Sequence, residues 1–196
     1  MTKILLIPAH HKTTPGKRSP DGILREYSYS REIISEMIER LGGLGYEAIN
    51  PIPETEKELS LSEQCRIINK IYDECSGDCF CISPHLNAAG NGSEWMNAKG
   101  WSAFRGAGQK TKELAGCLTK AAEKEGIRVR YEYPGVPYWT SGFYICKNTK
   151  PSTVLTENLF QDNHEDVDFL LSPEGKEAIV NLHVQGILDY ISKIKE

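Results

Sequence analysis

Five histidines occur in the chain, and two stand where a sheet would use them. His10 follows an apolar run, residues 3–8, and His85 follows a second, residues 78–83; each lies within two residues of a proline. Ligand sites in open α/β sheets form outside the carboxyl ends of the strands. Both imidazoles are therefore expected on one rim. Glu26 falls in the first turn of the helix that follows the first strand, and such helices start at that rim. Glu157 ends a β-branched run, residues 152–157, and arrives there too. Two imidazoles and one carboxylate make a His2Glu zinc set with an open fourth position. Such a site activates water and polarises a carbonyl, and a second, unligated carboxylate supplies a general base. Taken singly, each group has a plainer role: a hydrogen-bonded strand-end histidine, a dipole partner at a helix start, or a capping carboxylate.

The elements that must position these groups follow from periodicity. Residues 3–8 (KILLIP) read as a strand covered on both faces. From Leu24 to Leu41 the period becomes helical, through Tyr27, Ile34, Met37 and Ile38, and Gly42-Gly43 stops the helix. Tyr46 to Ile52 reads as a short strand. Ser60 and Glu63 form a capping box for a helix to about Cys75. Residues 78–83 form a buried strand closed by Pro84, and the Asn- and Gly-rich segment 86–97 is a loop. Further strands are expected at 100–104, 127–133, 143–146 and 152–157, with a helix at 109–124. Ser172-Pro173-Glu174 opens a last helix. The alternation predicts one α/β domain spanning residues 1–196. Its sheet is largely parallel or mixed, twisted, of about six strands flanked by helices.

Composition agrees with a soluble globular domain: 196 residues, 39% hydrophobic and 26% charged. The net charge of -4 leaves no basic footprint for nucleic acid. The N-terminal apolar run is too short for a signal segment or a membrane span, so synthesis in the cytoplasm is expected. The six cysteines are read as free thiols. Cys79 and Cys81 alternate with Phe80 and Ile82 as a packed strand does, which opposes a thiolate metal cluster with Cys75.

The motifs resemble those of the zinc-dependent N-acetylmuramoyl-L-alanine amidase family (the amidase_3 type), which includes bacterial autolysins and phage endolysins. That family opens with a strand, Gly-His-Gly, a polar loop and a helix-starting Glu. Here Pro8-Ala9-His10-His11 and Asp21-Gly22-Ile23-Leu24-Arg25-Glu26 stand at those places. The family's Ser-x-His-x-Asn-Ala appears as Ser83-Pro84-His85-Leu86-Asn87-Ala88, and its Ala-x-Gly element as Ala98-Lys99-Gly100-Trp101. Its last motif, a Glu followed by Phe, Asn, an acidic residue and Leu, is similar to the run from Glu157 through Asn163, Asp166 and Leu170.

The resemblance implies one Zn2+ ion on His10, Glu26 and His85, with Glu157 as acid/base. It implies hydrolysis of the amide between N-acetylmuramic acid and L-alanine in peptidoglycan. Ala9 and His11 replace the family's glycines, so His10 and His11 compete for the first ligand position. Adjacent residues point apart, so both do not bind one ion; His11 is otherwise a supporting group or a substrate contact. Asn87, Asn91, Trp95 and Trp101 are candidates for lining the cleft, with core packing the alternative for Trp101. The segment 132–150 matches the family poorly and either shapes specificity or packs. His164 and His183 are expected to be structural.

The expected setting is that of a phage or prophage endolysin, made in the cytoplasm, acting on the wall after release, with no separate wall-binding module. Two rivals remain: another zinc amidohydrolase or carboxypeptidase acting on a small amide or peptide, and a metal-free wall-binding domain.

Overall fold

A computed structural model describes residues 2–140 and 142–195. Six strands form one sheet: β1 (Lys3–Leu6), β2 (Ala48–Ile49), β3 (Cys79–Asn87), β4 (Ser102–Arg105), β5 (Trp139–Thr140) and β6 (Ser152–Phe160). Their order is β2-β1-β3-β6-β4-β5. All neighbours run parallel except β4, which is antiparallel to β6. Six helices flank the sheet: α1 (Glu26–Gly43), α2 (Leu61–Glu74), α3 (Gln109–Lys124), α4 (Tyr144–Asn148), α5 (His164–Leu171) and α6 (Pro173–Lys195). This is the expected single α/β domain with a mixed sheet. Both edges are two-residue strands.

Strand alternation divides the interior into two layers. Ile4, Leu6, Phe80, Ile82 and Val154 pack beneath α1, α3, α5 and α6. Leu5, Ile7, Cys79, Cys81 and Leu155 pack beneath α2 and α4. The cysteines at 79 and 81 are packing residues, as expected, and all six are free.

Local signals set several helix ends. The Ser60 and Glu63 capping box is formed in full at α2. Ser172 Oγ accepts the Gly175 N–H at 2.9 Å where α6 begins. Asn163 accepts the Asp166 N–H at 3.1 Å and starts α5, a helix that periodicity did not reveal.

Four expectations change. Residues 127–133 contribute only two isolated bridges, Val129 to Trp101 and Tyr133 to Val136. Residues 144–148 are helical, although Phe143-Tyr144-Ile145-Cys146 has strand composition, because Ile145 and Cys146 bury against α2 as part of the second layer. The expected strand over 46–52 shrinks to two residues. Strands β3 and β6 run on past Ser83 and Glu157, and they pair His85 directly with Glu157. Both groups therefore sit within the sheet's carboxyl rim rather than on loops beyond it.

Candidate metal and catalytic site

Alternation explains why the rim groups face one way. Ser83 and His85 share a face of β3, and Leu155 and Glu157 share the matching face of β6. They open toward α2 and α4. There they line a cleft of about 220 Å³ with Ile7, His10 and Glu26. A wider groove of about 870 Å³ runs along the outside of α2. It is a solvated helix face, where Lys70 and Glu74 pair at i,i+4.

Helix α1 assembles the site. Glu26, its first residue, is 1% exposed at the side chain. Its Oε1 lies 2.9 Å from His85 Nδ1 and accepts the Leu86 N–H at 3.0 Å. Its Oε2 lies 3.4 Å from His10 Nε2 and has no hydrogen-bond partner. The two imidazoles meet edge-on with centroids 5.1 Å apart.

One turn along α1, Ser30 holds the two histidine segments together. Its hydroxyl accepts the Ala9 N–H at 3.0 Å and donates to the Pro84 carbonyl at 2.7 Å. Arg31 donates to the carbonyls of Ala9 and His10 and pairs with Glu54 at 2.7 Å. Sequence reasoning missed Ser30 and Arg31. The signal was available, since Glu26 and Ser30 are four apart on one helix face.

Ligand atoms from His10, Glu26 and His85 all lie within 4.8 Å of one another, the one such His/Cys/Asp/Glu group among the described residues. A buried carboxylate oxygen without a partner, set between two imidazoles, fits a cation. Burial pushes the Glu26 carboxyl up, but the adjacent His10 and His85 outweigh it and hold it well below the usual range. Glu157 behaves oppositely. Burial and the nearby Glu26 charge push its carboxyl up to about 8, with Lys17 opposing. Its Oε2 is sealed from solvent and has no hydrogen-bond partner. Two carboxylates with such different environments are suited to different tasks.

Other sequence candidates fall elsewhere. His11 is buried in a loop, its Nδ1 2.8 Å from Thr13 Oγ1 and its Nε2 3.0 Å from the Thr55 carbonyl oxygen. It is turned away from the cleft, and His10 is the histidine grouped with Glu26 and His85. Trp101 is 0% exposed. Burial rules out sugar stacking there; its indole N–H donates to Asn158 Oδ1 at 2.8 Å, and Asn158 Nδ2 donates to the His85 carbonyl at 3.0 Å. Trp101 thus supports the site from behind. Asn87 ends β3 beyond the cleft lining, and its Oδ1 accepts the Ala88 N–H at 2.9 Å. Asn91 is exposed and caps the Ser93 N–H at 3.0 Å. Trp95 stacks on His164 at 3.6 Å, so its ring face is occupied. Phe143 and Tyr144, from the poorly matching segment, do line the cleft.

An α/β sheet with two imidazoles and two carboxylates gathered at its carboxyl rim carries the donor set of a metal site. The relationship to known proteins is more particular. The profile of the N-acetylmuramoyl-L-alanine amidase family matches residues 4–189, and the chain belongs to that family. It is 25% identical over 198 residues to the endolysin of Bacillus phage SPP1, covering 100% of this chain and 69% of the relative. The fold is shared with the amidase Ami1 of Mycobacterium smegmatis at TM-score 0.82 and 15% identity, covering 98% of this chain and 97% of that one. It is also shared with an N-acetylmuramoyl-L-alanine amidase of Clostridium difficile 630 at TM-score 0.82 and 18% identity, covering 97% and 96%. The activity is that of the family, amide hydrolysis in peptidoglycan.

Proposed function

We propose that the chain is a zinc-dependent N-acetylmuramoyl-L-alanine amidase, with His10, Glu26 and His85 as metal ligands and Glu157 as acid/base. The observation that carries this reading is the juxtaposition of three ligand atoms within 4.8 Å with a second carboxylate, Glu157, paired in register with His85. A zinc ion held by the three ligands supplies Lewis acidity, polarising the scissile carbonyl and lowering the pKa of the attacking water toward about 7.

The chain's own groups do the rest. Glu157, which lines the cleft, takes the proton from the attacking water and delivers it to the leaving alanine nitrogen. With an ion held by His10, Glu26 and His85, Glu157 would be ionised, the form that the first transfer needs. Glu26 stays ionised beside His10 and His85. Leu61, Phe143, Tyr144 and Ile145 give the cleft an apolar side.

Similarity to a phage endolysin supports action on the bacterial wall after release from the producing cell. Among the described residues no helix is long and apolar enough to cross a membrane. The test is digestion of purified walls with and without a chelator, with identification of the bond cut. The expected result is a new alanine amino group, lost on chelation and restored by zinc. A new amine on any other residue, or undiminished activity after verified metal removal, overturns the reading.

A further inference from the structure

The cleft carries one fixed positive charge that the proposed chemistry does not use. Among its described lining residues Lys17 is the sole lysine or arginine, facing the carboxylates Glu26, Glu58 and Glu157. It makes no ion pair among the described residues, yet its charge is felt at Glu157. Its backbone is fixed. The Lys17 carbonyl accepts the N–H of Glu26 at 3.0 Å, and an antiparallel bridge joins Arg18 to Arg25 beside it. Ser19 N–H donates to the Leu24 carbonyl at 2.9 Å, and Leu24 N–H to Ser19 Oγ at 3.0 Å. Lys17 itself takes φ 51, in the left-handed region. The loop thus holds this lysine directly against the first residue of α1, whose side chain is the central carboxylate of the site.

A primary ammonium on a flexible stem is a poor device for a transient oxyanion, which needs fixed donors. It suits an anion that stays charged throughout the reaction. Resting on the amidase reading above, we propose that Lys17 is a specificity residue that holds a free carboxylate of the stem peptide, on the alanine side of the scissile amide. Preference for stems whose second residue is a free acid over those where it is amidated follows. It gives an acidic protein, net charge -4, a local means of drawing an anionic peptide into a carboxylate-lined cleft.

The test uses soluble glycan fragments bearing L-alanyl-D-glutamate stems or the matching L-alanyl-D-isoglutamine stems, with release of the alanine amine as readout. Wild-type kcat/KM is expected to favour the acid by about tenfold, the scale of a charge-assisted hydrogen bond. The preference should sit in KM and shrink toward one as salt is raised. Lys17→Met should bring the ratio to about one, and Lys17→Arg should keep it. Because Lys17 is exposed, both variants are expected to fold, with an unchanged thermal midpoint as the check. Equal wild-type hydrolysis of both fragments, or a Lys17→Met ratio equal to the wild-type ratio, overturns this inference alone. Release from neither fragment overturns the amidase reading itself.

Discussion

At the residue scale, His10 has a backbone φ of 49, where a side chain with a Cβ costs roughly 1–2 kcal/mol. Arg31 and Ser30 hold that conformation through the carbonyls of His10 and Ala9 and the N–H of Ala9. Strain kept in place by dedicated hydrogen bonds is expected where a side chain must be aimed. His10→Ala should therefore abolish stoichiometric zinc in elemental analysis, whereas His11→Ala should retain it. The reverse result would exchange their roles. Glu157→Gln should keep zinc and lose at least about 100-fold in turnover on purified walls; near wild-type turnover would remove it from the chemistry. His10, Glu26, His85 and Glu157 could be gathered from sequence because strand ends and helix starts meet at one rim. His11 and Trp101 could not be assigned the same way. What separates them from the cleft is burial, which depends on Thr13, Thr55 and Asn158 and not on spacing.

At the element scale, α6 lies directly against α3. A Cβ added at Gly186 would stand 2.9 Å from the Leu118 Cα and 2.8 Å from its Cδ2. Backbone cannot yield there as a flexible side chain can. Gly186→Ala should lower stability by about 1–3 kcal/mol despite the higher helix propensity of alanine. Urea denaturation measures it, and a gain in stability would show that the two helices can separate. Long, strongly patterned elements such as α1, α3 and α6 were legible in the sequence because periodicity reports burial. The segment 143–146 was not, because its β-type composition is overridden by packing beside α2. The helix α5 escaped notice because eight residues give little more than two turns of pattern. The extension of β3 was hidden by Pro84 and the polar His85 and Asn87, and that of β6 by the polar Asn158, although the ladder runs on through Pro84 and His85.

At the scale of the whole molecule, the sheet and its helical cover are joined by a buried polar link. His183 of α6 is 0% exposed, with Nε2 2.9 Å from Thr156 Oγ1 and Nδ1 2.7 Å from the Ile179 carbonyl oxygen. Burial lowers its pKa from 6.5 to about 4. The native state thus binds fewer protons than the unfolded chain between these values. Its stabilising contribution is complete above about pH 6.5 and is lost as the pH falls toward 4. The loss amounts to about 3 kcal/mol at most. Urea midpoints for the wild type should drop through this window, and His183→Gln should show a shallower drop. Parallel pH profiles for the two proteins would place the acid sensitivity elsewhere.

The two ends of the sheet have a consequence for handling and for evolution alike. Ala48–Ile49 and Trp139–Thr140 expose so short a row of unpaired amides and carbonyls that another chain finds almost no ladder to extend. The sheet is therefore protected against fibre-like association by how short its edges are, without needing charged guards along a long rim.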